Sequence, residues 1–316
     1  MKIVVSELLW PEGLAELRSL GEVVYDPGLW QRAGELRGRV GEAEALIVRN
    51  QTRVDNRLLR GAGRLRVVGR VGVGLDNIDL QAARKRGIKV VYARNANATS
   101  VAEYVLAAML RACRELDAAC EDVRAGSWDR ARFTGVELCG KTLGLVGLGE
   151  ISRRVARRAA AFGMRLLGYD PFVGPYDFPV AELGVRPVGL EELLESSDFV
   201  SLHLPLTPKT RNLLSLRELG RMRPEAWLIN TSRGSIVNER ALLEVLEKGA
   251  IGGAVLDVLE EEPPRPGSPL LSHERVLITP HVAGLTGESQ VRSSVLVARE
   301  VGKVLRGESS LCVVGG

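Results

Sequence analysis

Three polar side chains in the second half of the chain each follow a run of apolar residues. They are an arginine, a glutamate and a histidine, namely Arg233 after 227–232, Glu262 after 253–258 and His281 after 276–280. A histidine titrates near neutrality and can act as both acid and base. A carboxylate on its far ring nitrogen would fix the tautomer and stabilise the imidazolium, and a guanidinium presents a planar fork to a carboxylate. These residues predict acid–base chemistry on an anionic substrate.

A glycine-rich segment lies upstream of them, where Gly147 and Gly149 follow an apolar run and precede a helical pattern. Gly147 permits a tight turn, and Gly149 lets a pyrophosphate approach the backbone at the helix N-terminus. Ser152 stands in place of the third fingerprint glycine, where a small residue still lets helix and strand approach each other. Asp170 ends the next apolar run, where a carboxylate would bind the adenosine ribose and repel a 2′-phosphate. The segment predicts NAD rather than NADP; the alternative is a glycine turn followed by a helix-capping aspartate.

If the chain binds NAD, the acid–base chemistry of His281 can accompany the transfer of a hydride. A histidine base can take the proton of a C2 hydroxyl while hydride leaves C2. In a parallel sheet, Arg233, Glu262 and His281 would emerge at the carboxyl edge, where such cofactors lie. The expected chemistry is hydride transfer between NAD and a small 2-hydroxy acid. His203, at another strand end, has no accompanying carboxylate motif and is expected to be packed or near the cofactor, not catalytic.

The elements that would position these residues alternate along nearly the whole chain. Runs rich in Val, Ile and Leu predict strands at 2–6, 22–26, 45–49, 67–71 and 89–93, and again at 142–147, 165–170, 199–204, 226–231, 253–258 and 276–279. Helical patterns lie between them, for example at 79–87, 149–163 and 238–248. Continuous apolar strands alternating with helices indicate an α/β protein with two doubly wound parallel sheets.

A long helical pattern separates the two sets of strands. It runs over 99–125, with Ser100 as the expected N-cap and Glu103 completing a capping box. A final helix over 287–306 is expected to pack back on the first set. The predicted domains are therefore 1–98 plus 285–316, which is discontinuous, and 99–284 between its two parts.

Composition limits the classes of function. The chain has 316 residues, a net charge of +4 and scattered basic residues, so no nucleic-acid partner is predicted, and the mild positive charge favours an anionic substrate. Its four cysteines have neither metal nor CxxC spacing, so we expect no metal site and free thiols. No signal peptide and no bilayer-spanning run is expected, which predicts a cytoplasmic protein without a membrane partner.

Several longer motifs are similar to those of a known family in order and spacing. They lie at 71–79, 95–103, 140–149, 229–237, 256–263 and 279–284. On these motifs the chain resembles the D-isomer-specific 2-hydroxyacid dehydrogenases over essentially its full length. The resemblance implies that Arg233, Glu262 and His281 form a catalytic triad. It also implies a Rossmann NAD domain inserted into a discontinuous flavodoxin-like substrate domain, a cleft that closes on substrate, and a homodimer built around the central domains.

The cofactor residues expected from the glycine motif and the resemblance are Gly147, Gly149, Glu150, Ile151, Asp170, Leu204, Pro205, Thr231, Asp257 and Gly284. Within the family, 46–52 and 126–133 are most similar to the phosphoglycerate dehydrogenase branch. That similarity implies a set of substrate contacts: Arg49 for the distal anion, the backbone of Val73 and Gly74 for the carboxylate, Asn97 in the cleft, and Arg130 or Arg132 from the partner subunit. For the three arginines the alternative is a solvated surface. The chain stops soon after its last helix, so the regulatory domain of some relatives is not expected.

Other readings of the same residues stay open. Segments 50–53 and 279–286 are also similar to the 3-sulfolactate dehydrogenases of this family, and an arginine-lined pocket suits a sulfonate as well as a phosphate ester. Hydroxypyruvate or glyoxylate reductase is a further alternative within the family. Formate or phosphonate dehydrogenases and non-enzymatic NAD-binding corepressors resemble the family too; the intact Arg233, Glu262 and His281 argue against a corepressor.

Overall fold

The computed structural model describes residues 1–315. The chain divides into two compact units: Met1–Asn97 with Leu285–Gly316 (unit 1), and Ala98–Gly284 (unit 2). Each unit is a parallel sheet with helices, so the predicted α/β class is confirmed.

Unit 1 contains a five-stranded parallel sheet in the order β2-β1-β3-β4-β5. Its strands are β1 (Lys2–Val5), β2 (Glu22–Tyr25), β3 (Ala45–Val48), β4 (Val67–Arg70) and β5 (Lys89–Tyr92). Its helices are α1 (Pro11–Arg18), α2 (Ala33–Glu42), α3 (Asn56–Arg60), α4 (Leu80–Lys85) and, from the end of the chain, α13 (Gly287–Arg306), with a 3-10 turn at Leu29–Gln31. β3 is buried along its whole length because apolar clusters cover both faces of the sheet.

Unit 2 contains a seven-stranded parallel sheet in the order β12-β11-β10-β9-β6-β7-β8. Its strands are β6 (Thr142–Val146), β7 (Arg165–Tyr169), β8 (Arg186–Pro187), β9 (Phe199–Leu202), β10 (Trp227–Asn230), β11 (Gly253–Leu256) and β12 (Val276–Ile278). Its helices are α5 (Ala98–Cys113), α6 (Leu116–Arg124), α7 (Glu150–Ala161), α8 (Phe178–Ala181), α9 (Leu190–Ser196), α10 (Leu216–Leu219), α11 (Glu239–Glu247) and α12 (Pro269–Ser272), with a 3-10 turn at Gly234–Ile236. The strand order reverses between β6 and β9, which places a crevice at their carboxyl ends.

The predicted strands are all present, one or two residues shorter than predicted, but the helix predicted over 99–125 is wrong. The structure has two helices there, α5 and α6, interrupted at Arg114 and Glu115. α5 packs its apolar face into the core as far as Cys113, whereas α6 has no buried residue, so the packing does not continue past the break. Ser100 is not an N-cap, because α5 begins at Ala98 and Ser100 is buried within it. The two-residue strand β8 is too short to show a periodic pattern in the sequence.

Within residues 1–315, no helix combines the length and the apolar character needed to cross a membrane.

Candidate active site

His281 lies in the turn that follows β12, and its backbone has a φ of 56°. Positive φ is uncommon for a residue with a side chain and needs support from the surroundings. Asp257, which follows β11 and is 2% exposed, supplies it. Its backbone oxygen accepts from the N–H of His281 at 2.9 Å, and its carboxylate accepts from the N–H groups of Val282 and Ala283, both at 2.8 Å. The orientation of the His281 turn is therefore set by one buried aspartate.

A short hydrogen-bonded chain extends from this aspartate to α5. The hydroxyl of Thr279 donates to Asp257 Oδ1 at 2.6 Å, and Tyr104 Oη lies 2.5 Å from Thr279 Oγ1. Burial raises the pKa of Tyr104 above its usual value, although the hydrogen bond with Thr279 acts in the opposite direction, so the phenol keeps its proton. Tyr104 and Thr279 were not among the residues predicted from the sequence, and Asp257 was predicted to bind the cofactor. The observed contacts of Asp257 hold the His281 turn.

Glu262 and His281 form a hydrogen-bonded pair in which Nδ1 and Oε2 are 2.7 Å apart. The other carboxylate oxygen accepts from the N–H of Leu259 at 3.1 Å. Partial burial by itself would raise the pKa of Glu262, but the hydrogen bond and charge of His281, together with the charge of Arg233, hold that pKa below its usual value. An ionised Glu262 requires the proton on Nδ1, which leaves Nε2 of His281 to exchange a proton. The imidazole is 50% exposed, so that atom is within reach of a ligand.

Arg233 lies in a tight turn after β10 that is shaped by the buried Asn230. Asn230 Nδ2 donates to the backbone oxygen of Arg233 at 3.0 Å, and its Oδ1 accepts from the N–H and hydroxyl of Ser232. A Cβ on the next residue, Gly234, would overlap the backbone carbonyl of Leu259. The Arg233 turn therefore packs directly on the loop that leads to Glu262.

The structure thus brings together the three side chains predicted to act as a triad. They follow β10, β11 and β12, which are consecutive neighbours in the sheet with Asn230 paired to Leu256 and Leu256 to Ile278. A cation, a carboxylate and an imidazole share one carboxyl edge. That set can bind an anion and move a proton.

The glycine turn after β6 has the geometry expected of a dinucleotide site. Gly147 has a φ of 88°, and a Cβ there would lie 2.6 Å from the backbone oxygen of His203. Gly149 is the N-cap of α7, has no side-chain acceptor, and faces open space. The hydroxyl of Ser152, which is buried, donates to the backbone oxygen of Gly147. The N-terminus of α7 can therefore receive an anion, and the Ser152 substitution adds a bond to the turn.

Asp170, directly after β7, braces the same turn. Its Oδ2 accepts from the N–H of Leu148 and its Oδ1 from the N–H of Phe172, both at 2.9 Å. The side chain remains half-buried, and each carboxylate oxygen has a second lone pair. A ribose diol can bind there without displacing either contact.

Two buried polar atoms at this edge have no hydrogen-bond partner within residues 1–315: Nδ1 of His203 and Oγ1 of Thr231. They follow β9 and β10, which are adjacent. Buried polar groups are nearly always hydrogen-bonded, so this edge fits a polar ligand such as a nucleotide. Burial lowers the pKa of His203 to about 3, and its Nε2 lies 2.9 Å from Ser201 Oγ, so this ring is a neutral, packed histidine.

The remaining residues of the predicted cofactor set border the same edge. Glu150 and Ile151 open α7, Leu204 and Pro205 follow β9, and Gly284 closes the His281 turn. Among residues 1–315 there is no group of three metal-ligating side chains.

The residues predicted to contact substrate lie elsewhere in the chain. In unit 1, Arg49 follows β3, Val73 and Gly74 follow β4, and Asn97 follows β5. Arg49 is half-buried, its Nη2 donates to Gln290 Oε1 at 2.7 Å, and no carboxylate within residues 1–315 forms an ion pair with it. In unit 2, Arg130 and Arg132 are exposed; Arg132 lies 3.6 Å from Asp122 and stacks over Phe133.

Comparison with known proteins identifies the family. The model described as D-isomer specific 2-hydroxyacid dehydrogenase, NAD binding domain, matches residues 106–283. The chain belongs to the D-isomer specific 2-hydroxyacid dehydrogenase family. The predicted family and the predicted NAD cofactor are therefore confirmed.

Individual members of the family are similar over nearly the whole chain. The D-3-phosphoglycerate dehydrogenase of Methanocaldococcus jannaschii is 43% identical over 316 residues, covering 99% of this chain and 59% of that protein. The TT0316 protein from Thermus thermophilus is 36% identical with a TM-score of 0.90, covering 99% of this chain and all of that one. A glyoxylate reductase from Paecilomyes thermophila is 30% identical with a TM-score of 0.86, covering 100% of this chain and 98% of that one. The chain spans little more than half the length of the curated relatives it matches.

Proposed function

We propose that the protein is an NAD-dependent dehydrogenase that moves a hydride between the cofactor and C2 of a small D-2-hydroxy acid. The observation that carries the proposal is the 2.7 Å pair of Glu262 and His281 at the carboxyl edge of an NAD binding domain. A cofactor-binding protein without activity would not need a charged carboxylate on the far nitrogen of an exposed imidazole.

Each side chain has a role in this reaction. Nε2 of His281 takes the proton of the C2 hydroxyl during oxidation and returns it during reduction. Glu262 holds the proton on Nδ1 and stabilises the imidazolium that forms. Arg233 pairs with the substrate carboxylate and polarises the C2 oxygen. Bound NAD supplies the hydride acceptor, and Asp170 and the N-terminus of α7 hold its ribose and pyrophosphate.

The substrate we propose is 3-phosphoglycerate, with 3-sulfolactate as the second candidate. Arg49 supports a distal anion, because its guanidinium is half-buried and is bonded to the neutral Gln290 without an ion pair within residues 1–315, which leaves its charge available to an anionic group. Relatives named D-3-phosphoglycerate dehydrogenase favour the phosphate ester. Val73, Gly74 and Asn97 are proposed as further contacts. The similarity to a solved glyoxylate reductase supports a short keto acid as an alternative substrate.

We further propose that the protein works as a cytoplasmic homodimer in which Arg130 or Arg132 reaches the partner's substrate. α6 and the residues after it leave apolar side chains exposed, including Leu116, Val123, Trp128 and Val136. Large exposed apolar side chains concentrated in one segment of the chain favour a protein partner. All four cysteines are free thiols, as is usual in the cytoplasm.

The test is the initial rate of NADH formation with 3-phosphoglycerate, 3-sulfolactate and glycerate in parallel. We expect turnover to depend on the distal anion and 3-phosphoglycerate to have the highest kcat/KM. A preference for 3-sulfolactate would keep the roles of the three side chains and change the substrate. NAD binding without turnover of any hydroxy or keto acid would contradict the proposed activity.

A further inference from the structure

Glu7 is a buried carboxylate that the proposed chemistry does not use. It lies just after β1 in unit 1 and is 4% exposed. It accepts from four consecutive backbone N–H groups: Oε1 from Arg49 at 2.8 Å and Thr52 at 2.9 Å, and Oε2 from Asn50 at 3.1 Å and Gln51 at 2.9 Å. Consecutive N–H groups converge on one anion only when the backbone turns tightly around it. We call residues 49–52 the arginine turn.

The arginine turn is also held through its carbonyl oxygens. Asn77 Nδ2 donates to the backbone oxygens of Arg49 and Thr52, at 2.9 and 2.8 Å. The hydroxyls of Ser6 and Thr52 lie 2.9 Å apart. Both sides of the backbone are therefore engaged by buried or half-buried side chains, which fixes the Cα from which the Arg49 side chain extends.

The guanidinium of Arg49 is held by a neutral group. Its Nη2 donates to Gln290 on α13, and within residues 1–315 it has no ion pair. The negative charge of Glu7 is engaged by four amides, not by this guanidinium. Burial lowers the pKa of Arg49 while the charge of Glu7 acts in the opposite direction, and the side chain remains a cation at physiological pH.

We infer that Glu7 is a positioning residue for Arg49 and thereby sets the selectivity for substrates that carry a distal anion. The inference rests on the proposed function, in which Arg49 meets that anion. Glu7 acts in two ways: it orders the backbone that presents the guanidinium, and its charge favours a half-buried cation without occupying it in a salt bridge. Loss of Glu7 displaces the guanidinium and leaves the proton transfer at His281 unchanged.

The experiment compares Glu7→Gln with the wild type on 3-phosphoglycerate and on glycerate, which lacks the distal anion. A glutamine of the same size cannot accept four N–H bonds, because its amide nitrogen is a donor. We expect the KM for 3-phosphoglycerate to rise about fivefold to tenfold, with kcat and the KM for glycerate unchanged. Glu12→Gln removes the same charge from an exposed position of α1 and should leave both substrates unaffected. If the enzyme prefers 3-sulfolactate, the comparison uses 3-sulfolactate and lactate instead of 3-phosphoglycerate and glycerate.

Two further variants separate the inference from the proposal beneath it. Arg49→Ala should raise the KM for 3-phosphoglycerate far more than the KM for glycerate, and so raise the ratio of the two KM values. Glu7→Gln introduced into Arg49→Ala should not raise this KM ratio further. An unchanged ratio in Arg49→Ala overturns the anion contact of the proposed function. A changed ratio in Arg49→Ala with an unchanged ratio in Glu7→Gln overturns only the role of Glu7.

Amide hydrogen exchange provides a measurement that does not depend on activity. Glu7→Gln should speed exchange across the arginine turn while the amides of β3 and β4 keep their wild-type rates. Unchanged exchange in the turn overturns the inference. If Glu7→Gln does not fold, Glu7→Asp keeps the charge but withdraws the carboxylate by one methylene from the four N–H groups; it should shift the KM ratio in the same direction, and an unchanged ratio overturns the inference.

Discussion

Nδ1 of His281 lies 2.7 Å from Oε2 of Glu262, and the two side chains are contributed by loops that follow adjacent strands. The contact fixes the imidazole tautomer from the side opposite the proposed substrate. Because Glu262 keeps its charge at neutral pH, the pair can accept a proton on Nε2 and hold the resulting imidazolium. A histidine in a different tautomer would offer a donor where the hydroxyl proton has to be taken.

His281→Ala should lower kcat for oxidation of the 2-hydroxy acid at least about a hundredfold, because general acid–base groups contribute about that much. Steady-state NADH formation measures it. His273→Ala, which replaces a histidine whose Nδ1 accepts from the N–H of Arg275 before β12, should retain wild-type turnover. Near wild-type turnover in His281→Ala would remove this residue from the mechanism.

Glu262→Gln should lower kcat for oxidation about tenfold to a hundredfold, because a neutral amide no longer stabilises the imidazolium that forms at His281. Steady-state NADH formation at neutral pH measures it. The lowered pKa of Glu262 means that the wild-type carboxylate loses its charge only at pH values below those at which a free glutamate would. Glu261→Gln, whose carboxylate pairs with Arg265, is the matched control. Wild-type kcat in Glu262→Gln would contradict the assigned role.

Asp170→Ala should weaken NAD binding about tenfold to a hundredfold, because hydrogen bonds to a charged group are lost. NADP binding should weaken much less, since the same change removes repulsion of the 2′-phosphate. Calorimetric titration of both cofactors measures the difference. Asp177→Ala, in the following loop, removes one charge without touching the glycine turn. Equal losses for NAD and NADP would exclude the ribose contact.

Tyr104→Phe should reduce kcat about threefold to tenfold, because one hydrogen bond supporting the His281 turn is lost. The ring still packs, so the melting temperature should change little. Tyr92→Phe removes a phenol from β5 and serves as the control. A fall in melting temperature with unchanged kcat would show that Tyr104 stabilises the fold without orienting His281.

The strands and the shared location of Arg233, Glu262 and His281 were predictable because their signals are local. Strands such as β3 are continuous apolar runs, and Arg233, Glu262 and His281 carry chemically distinctive side chains directly after such runs. The glycine fingerprint was recognisable for the same reason. The hydrogen bond of Ser152 could not be predicted, because only the folded turn brings its hydroxyl to the backbone oxygen of Gly147.

The supporting residues could not be predicted because they act on partners far along the chain. Tyr104 bonds to Thr279, and Glu7 bonds to residues more than forty positions away. Each has an ordinary residue type in an ordinary setting, and only the tertiary fold makes its contact visible. The prediction of Ser100 as an N-cap was wrong for a related reason. The capping pattern is present in the sequence, but α5 begins at Ala98, two residues before Ser100.

Gly234 has a consequence for how the sequence can vary. The Arg233 turn and the loop that leads to Glu262 touch main chain to main chain at this residue, so their spacing does not depend on any side-chain rotamer. A library of variants should therefore accept exchanges among the apolar residues beneath the two loops and reject even one added methyl group at position 234. The least reactive residue of the site would then be among its least replaceable.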